Sequence, residues 1–460
     1  MATVGNYPKS LQYAVNKIAG FSKNTVKVLS STLQTANPGD LSIFQFPANQ
    51  LCDLSSVVIK GDLAVARGGT ANDYVVVPRF AGSFVDLVDV SIAGQSIDGS
   101  APWYGHLYRI MNDYLYGDKF GQRSAIELGQ VTSTNANLNL PIVESSASVA
   151  QFQGNASMPT AIVTDPNGTV TGLPLYLTGH ALGGFLSCGK CIDTSLVSDM
   201  RVSVRWAPNT ILAANADVSS ATYQLQNLCM IVDVWSLDDG IFYALLQSRL
   251  ATAPIEIPYV RWVSYTGPSF TSSTSIRWAT STQSLESVYA TFVPTAGATT
   301  KSVTSASGSL ALNTSGTVPV PYYQHVATGV GTVAWSVNGI YYPAYPQSVT
   351  ECYHQLINTL ATGDDSLGSI NSNINLASYY QGYFATGFRF GVPQDQVSGP
   401  LTAQWTSGLN SLGTQMNGTL EVVASSLGTS IPGTGLSPYL YARTHATLAI
   451  GAWRAVQIVQ

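Results

Sequence analysis

The sequence predicts an all-β chain, two tandem β-sandwiches with short helices in the connections. Three observations predict it. Apolar runs of strand length recur at short intervals along the chain, with Gly, Pro, Asn and Asp between them. The chain has 460 residues, too many for one core and suited to two units of roughly 200 to 250 residues. One structural unit also occurs twice. Residues 90–94 (Val-Ser-Ile-Ala-Gly) lead into an amphipathic helix with the stripe Leu107, Ile110, Met111 and Tyr114, stopped at Gly117-Asp118. Residues 335–339 (Trp-Ser-Val-Asn-Gly) lead into another with Tyr353, Leu356, Ile357 and Leu360, stopped at Gly363-Asp364. Asn112 matches Asn358 at an offset of 246 and the strands match at 245, which puts one inserted residue between strand and helix. The shared order of strand, turn, helix and stop favours duplication over a chance likeness of two helices.

Charged residues make up 10% of the chain and hydrophobic residues 45%, so the missing polarity comes from Ser, Thr, Asn and Gln. That balance fits an extracellular or virion β-protein with long neutral loops better than a cytosolic enzyme. A net charge of −5 argues against nucleic-acid binding by bulk charge. The charge is uneven: residues 1–39 carry Lys9, Lys17, Lys23 and Lys27 and no acid, leaving −9 for the rest. This basic arm suits a nucleic acid or an anionic membrane, or is a solvated terminus. Five scattered cysteines, Cys52, Cys188, Cys191, Cys229 and Cys352, do not make a disulfide framework and point to folding in a reducing compartment. Lys9, Lys17 and Lys23 interrupt any signal-like apolar run, and no run of about 18 apolar residues suggests a membrane span.

In order, residues 10–21 have helical spacing (Leu11, Ala14, Val15, Ile18, Phe21), and 25–28 alternate as a strand. Pro38-Gly39-Asp40 turns the chain into a strand at 41–46, ended by Pro47. Strands follow at 54–66, 74–77 and 84–92, then the first repeated helix at about 104–115, capped near Gly117. Residues 120–174 are rich in Ser, Thr, Asn and Gly, with short apolar pieces at 138–140 and 161–163, and read as a structured excursion from one end of the sandwich. Strands at 173–177, 200–206 and 225–235 complete the first set. A helix at about 239–250 has Asp238 and Asp239 before it and Arg249 near its end, matching the helix dipole, and marks the domain junction. The second half offers strands at 255–264, 274–279, 285–293, 318–325 and 333–337, the repeated helix at 348–360, and strands at 387–390, 419–423 and 439–450. Neutral stretches fill 295–317 and 362–383. The pairs Tyr322-Tyr323 and Tyr341-Tyr342 suit an interface or ordinary sandwich packing.

The search for chemistry finds no reactive constellation. His106, His180, His325, His354 and His445 include no pair at helical i+3 or i+4 spacing. Glu351 and His354 could share a helix face, but two ligands make a weak site and a solvated polar pair is the expectation. Cys188-Gly-Lys-Cys191 is a lone C-x-x-C whose obvious further zinc ligand is His180, and it reads as an inert loop. Residues 94–99 miss the G-x-S-x-G spacing by one and read as a turn. Asp238-Asp239 and Asp364-Asp365 fit helix ends better than glycoside hydrolysis. Sequons at Asn155, Asn167, Asn313 and Asn417 mean little without a signal. No catalytic residue, metal ligand or cofactor site is expected, and the chain reads as a building block or binder.

Residues 38–47 (Pro-Gly-Asp-Leu-Ser-Ile-Phe-Gln-Phe-Pro) and 51–56 (Leu-Cys-Asp-Leu-Ser-Ser) give a turn, a strand and an Asp-Leu-Ser opening. This resembles the first jelly roll of the double jelly-roll major capsid proteins, which build tailless icosahedral DNA viruses including virophages and polinton-like viruses. The turn at 91–97 with the helix after it is similar to that family's strand-and-helix unit. Residues 242–250 followed by 255–259 are similar to its connection between rolls. The likeness of element order spans most of the chain, its motifs are short, and the long loops show no match.

The resemblance implies two tandem jelly-roll β-sandwiches: an arm at 1–24, a first roll at 25–240 and a second at 241–460. It implies a major capsid protein, not an enzyme. The chain would form a homotrimer of pseudo-hexagonal outline, packed in the virion against neighbouring capsomers and minor capsid and penton proteins, after folding in the host-cell interior. The loops at 120–174, 295–317 and 362–383 become outward towers, and the arm, with Lys9 and Lys17, faces genome or inner membrane. The alternative is a carbohydrate-binding, lectin-like double β-sandwich, which predicts a monomer or dimer.

Overall fold

The computed structural model describes residues 21–66, 74–76, 78, 81–98, 102–115, 142–146, 149–153, 169–178, 184–197, 199–214, 222–237, 240–295, 321–360, 374, 376–391, 408–412, 417–426, 430–451 and 455–459. The first half holds β1 (Phe21–Leu29), β2 (Leu41–Gln45), β3 (Leu51–Ala66), β4 (Tyr74–Val76), β5 (Val85–Ile92), β6 (Gln95–Asp98) and α1 (Tyr104–Leu115). It continues through β7 (Ile142–Ser146), β8 (Val149–Gln153), β9 (Thr169–Thr178), β10 (Cys191–Asp193), β11 (Met200–Trp206), β12 (Ala213–Ala214) and β13 (Thr222–Leu237). After α2 (Gly240–Thr252), the second half runs β14 (Ile255–Thr266), β15 (Thr274–Trp278), β16 (Leu285–Pro294), β17 (Val330–Val337), β18 (Ile340–Ser348), α3 (Val349–Leu360) and α4 (Leu376–Gly382). It ends with β19 (Thr386–Arg389), β20 (Gly418–Ala424), β21 (Leu436–Ile450) and β22 (Val456–Val459).

Each half is a pair of antiparallel sheets. In the first, β1-β13-β3-β10 faces β2-β11-β5-β6, with β9 also on β3. In the second, β14-β21-β16-β19 faces β15-β20-β17-β18, with β22 on β21. The orders correspond strand for strand, so the duplication is one of topology. A further sheet, β12-β4-β7-β8, draws β7 and β8 from the long neutral excursion. The hairpins of the repeated unit turn through Ala93-Gly94 (φ 54° and 77°) and Asn338-Gly339 (φ 52° and 80°). Two successive positive φ values match the right-handed twist of the strands and favour Gly at the second position.

Alternation builds the cores. In β2, Ser42 and Phe44 face inward while Leu41 and Gln45 face out. Trp206 is fully buried opposite, and its Nε1 donates to Ser42 Oγ at 2.9 Å, which removes the cost of burying the indole N–H. In the second roll Trp335, on β17, is a fully buried large ring, edge-on to Trp278 at 6.2 Å. Fully burying one such side chain stabilises by roughly 2 to 3 kcal/mol. In β16 every residue from Leu285 to Val293 is buried: the strand lies inside its sheet between β21 and β19, and at its first residue Leu285 and Leu409 exchange backbone hydrogen bonds of 3.0 and 2.9 Å.

Several details differ from the sequence reading. The first strand begins at Phe21, not at 25, and residues 10–20 of the expected helix lie outside the described ones. Residues 321–323 form a 3-10 turn where a strand was expected at 318–325, since Pro321 supplies no N–H to a ladder and 318–320 lie outside the described residues. The sequence reading places no strand at β18, whose Pro343 and Pro346 are tolerated because it is the outer strand of its sheet. Residues 94–99 do turn, but Gln95–Asp98 pairs with β5 as an edge strand. The neutral stretch at 362–383 contains α4. The two repeated helices begin at an offset of 245, like the strands, so nothing is inserted between strand and helix. The junction helix α2 spans Gly240–Thr252, close to the expected 239–250.

Candidate assembly interface

The described residues that carry most chemistry lie where the two rolls meet. Helix α1 is the wedge. All seven residues from Tyr104 to Ile110 are buried, because both faces are covered. Tyr104 and Tyr108 belong to the first roll's core, whereas Leu107, Ile110 and Tyr114 belong to the second roll's. Gly82 has no side chain because a Cβ there would sit 2.3 Å from the Tyr108 ring. Gly105 is bare because a Cβ would approach Tyr323 Oη to 2.4 Å.

Tyrosine hydroxyls stitch the junction. Tyr259 Oη donates to Ile97 O at 2.8 Å and Tyr441 Oη to Trp103 O at 2.8 Å. Tyr323 Oη donates to Ser83 O and Tyr114 Oη to Tyr383 O. In each pair a ring supplies apolar area and its tip satisfies a carbonyl of the other roll. Phe185 packs edge-on to Tyr259 at 5.2 Å. The pair Tyr322-Tyr323 is therefore interface between rolls within the chain.

The structure brings together two histidines 219 positions apart: His106 Nδ1 lies 3.2 Å from His325 Nε2. His106 is sandwiched between the rings of Tyr322 (4.9 Å) and Tyr439 (4.5 Å). Burial pushes His106 down to about 3. It pushes His325 well down too, helped by His106 and the buried Arg109. Both imidazoles are held neutral, and one donates to the other. Asp98 lies at the same junction. Burial raises its carboxyl to about 7, against the hydrogen bond from Phe185 N (3.0 Å) and the field of Arg261. Gly184 makes room for it: a Cβ there would fall 1.4 Å from Asp98 Oδ2.

A second buried polar cluster lies wholly in the second roll. Glu286 meets Arg389 (3.1 Å), Arg443 (3.1 Å) and His445 (3.0 Å). Burial alone would raise its carboxyl, but these three partners hold it down to about 2. Glu286 sits at the register shift between Leu285 and Ser287, and that bulge turns it onto the Arg side of the sheet. An acid inside an otherwise buried run was the readable signal, since a carboxylate there requires partners.

The outer edge of the second roll is open. Ile340 (60% exposed), Tyr341, Tyr345 (50%) and Val423 (48%) stand out from β18 and β20. Tyr341 Oη donates to the Glu421 carboxylate at 3.1 Å. A groove of about 710 Å³ opens beside the start of α3, between Thr328, Ser348, Val349, Tyr380 and Val423. On the opposite side of the first roll, Lys23 pairs with Asp233 at 2.6 Å, Lys27 is exposed, and Leu29 is 51% exposed.

The remaining candidates scatter. Glu351 accepts from Ser348 N (2.7 Å) and Oγ (2.8 Å), a capping box that opens α3, and His354 lies exposed on the same helix. Cys188 is half-buried and Cys191 exposed, both as free thiols. Burial raises both thiols, Cys191 with help from Asp53, which disfavours the reactive thiolate. Among the described residues no group of three His, Cys, Asp or Glu could hold a metal ion. No described helix is long and apolar enough to cross a membrane. Asn417 is exposed and hydrogen-bonded to Asn338. Lys9, Lys17, His180, Asn155, Asn167, Asn313, Asp238, Asp239, Asp364 and Asp365 lie outside the described residues, as do most of 120–174, 295–317 and 362–383.

No protein-family model and no curated protein sequence matches the chain. Solved structures do. PBCV-1 VP54, as fitted into a reconstruction of the virophage Sputnik, is 12% identical with a TM-score of 0.58, covering 96% of this chain and 97% of that one. The Faustovirus major capsid protein is 11% identical with a TM-score of 0.56, covering 98% and 93%. The Sputnik virophage chain is 12% identical with a TM-score of 0.51, covering 95% and 88%. The chain has the double jelly-roll fold of viral major capsid proteins.

Proposed function

We propose that this chain is a major capsid protein, the structural subunit of an icosahedral virion. The observation that carries this is the near-complete two-way coverage of the Faustovirus major capsid protein by two fused rolls of matching topology. The role is structural rather than enzymatic. Three chains would contribute six similar rolls to a capsomer of pseudo-hexagonal outline, and such trimers would tile a shell with neighbouring capsomers, minor capsid proteins and pentons. The chain would fold in the host-cell interior, which suits its free thiols. The partition is an arm at 1–24, a first roll to 240 and a second to 460, with the arm turned toward genome or inner membrane. No observation favours the carbohydrate-binding alternative.

The test is native mass combined with negative-stain images of the same peak. Three copies of the 48.7 kDa chain with a hexagonal outline are expected. A monomer at every salt and protein concentration would remove the proposal. Deleting residues 1–20 tests the arm separately: capsomers still form, but association with DNA or anionic vesicles falls.

A further inference from the structure

The C-x-x-C loop joins two parts of the first roll that do different work. On one side is the turn Gly184–Ser187, which faces the second roll: Phe185 packs edge-on to Tyr259, and its N–H donates to Asp98. On the other side is β10, a three-residue strand paired with β3 at the margin of its sheet. Cys188 is the first residue after the turn, its N–H donating to Phe185 O at 3.2 Å, and Cys191 is the first residue of β10. Gly189 and Lys190 between them are exposed.

Register says which sulfurs can meet. Cys191 lies opposite Asp53, and Ile192 opposite Cys52. Ile192 and Cys52 are buried, so Cys191, one residue away, stands on the other face of the sheet, where it is exposed. Cys52 is therefore turned away from it. Cys229 lies opposite Lys60, further along β3, and Cys352 lies in the second roll. That leaves Cys188, whose sulfur is turned toward the loop: it accepts from the Lys190 N–H and lies in the field of both Lys190 and Cys191. The chain between the two cysteines can adjust. Gly189 takes φ 63°, and a Cβ there would meet nothing within 4 Å, so no packing holds the loop in one form. Lys190 O is held by Leu54 N at 3.1 Å, so adjustment falls on Cys188 and Gly189.

We infer that Cys188 and Cys191 are a modification site: they close a disulfide with each other once the protein leaves a reducing compartment, and the bond ties the junction turn to β10. The oxidant is a small-molecule disulfide such as oxidised glutathione. The exposed Cys191 thiolate attacks one of its sulfurs, and a glutathione thiolate leaves. The Cys188 thiolate then attacks the Cys191 sulfur, and the second glutathione thiolate leaves. Two protein thiols are oxidised, one disulfide is reduced to two thiols, and the two protons pass to the departing thiolates. Burial raises both cysteine thiols, which keeps the exchange slow. Slow closure suits a bond that is absent while the chain folds and present afterwards. The closed loop is short, residues 188–191, so little is gained through the unfolded chain. Its effect is local, on the turn that seats Phe185 against Tyr259 and beside Asp98. The bond itself does not depend on the capsid reading; its timing, after release from the host-cell interior, rests on it.

The full-length chain, purified with reductant, is equilibrated in glutathione buffers of increasing oxidised fraction, alkylated, digested with chymotrypsin and analysed by mass spectrometry. Two of the five free thiols should disappear together, with the peptide spanning 188–191 lighter by two hydrogens and carrying no glutathione. Amide exchange over 184–191 should slow roughly tenfold in the oxidised form and recover on reduction, with β18 unchanged. Cys188→Ser should instead retain one glutathione on Cys191, and Cys52→Ala should close the bond as the wild type does. The wild-type readouts do not depend on a variant folding. A lasting glutathione adduct on wild-type Cys191, a bond to Cys52, or five free thiols in fully oxidised buffer would each overturn the assignment. A closed bond with unchanged exchange at 184–187 overturns the tie to the junction turn. A wild type that closes the bond yet never associates overturns the capsid reading alone.

Discussion

Helices α1 and α3 are copies of one element in two circumstances. Both span twelve residues and follow the same hairpin. Yet α1 has aromatic and aliphatic residues on both faces, with a buried histidine and arginine between them, and α3 keeps one apolar face and a polar exterior opened by a capping box. The difference teaches that partner coverage, not position in the fold, sets the chemistry of each copy. A duplicated helix that gains a permanent neighbour loses its polar face, and the copy at the open end keeps it.

This contrast can be broken most forcefully at Tyr108. Tyr108→Ala should cost about 3 to 5 kcal/mol, as large aromatic truncations in cores do, read as a lower urea midpoint; His354→Ala, on the exposed face of α3, should leave the midpoint unchanged. Equal losses at both sites would mean that α1 is not a wedge. Gly105→Ala comes next. Its new methyl would meet Tyr323 Oη, for a penalty of about 1 to 3 kcal/mol, whereas Thr350→Ala on α3 should be silent.

The third test is pH, and the signs oppose. His106 sits at about 3 in the fold against 6.5 in an unfolded chain, so below pH 6.5 the unfolded chain takes up protons the fold refuses, and stability falls on acidification. Asp98 sits at about 7 against 3.8, so over that range the fold holds a proton the unfolded chain has lost, and stability rises as pH falls. Glu286, at about 2 against 4.5, contributes stability that is lost only below pH 4.5. Between pH 6.5 and 4.5 Asp98 offsets one of the two buried histidines, so the wild type should lose stability on acidification with the slope of the other, up to about 1.4 kcal/mol per pH unit. Asp98→Asn should steepen that loss toward the slope of both histidines. Urea midpoints from pH 7 to 4.5 decide it; parallel profiles for wild type and variant would sink this account of the junction. The smallest effect is expected at the cap. Ser348→Ala should cost about 1 kcal/mol, confined to the second roll.

Much of the architecture was legible because it depends on local rules. Alternation in β2, the glycine turns at Gly94 and Gly339 and the two amphipathic helices are each decided by residues close in sequence. The β18 strand was hidden by Pro343 and Pro346, which read against a strand unless it is known to be an outer one. The His106–His325 pair was hidden because a search at helical spacing sees only neighbours on one helix, and these residues meet only after two rolls dock. Glu286 was readable in part: an acid inside the apolar run of β16 demands cations, but only sheet register says which ones.

The two prolines of β18 also bear on how copies avoid sticking wrongly. An outer strand normally offers its free N–H groups to any passing strand, and pairing of that kind extends without limit and is slow to undo. Pro343 and Pro346 remove two N–H groups from this outer strand, where its ladder with β17 is already interrupted, which favours recognition through side chains over extension of the backbone ladder. Contacts made through side chains can dissociate and try again, which lets a growing shell discard misplaced subunits.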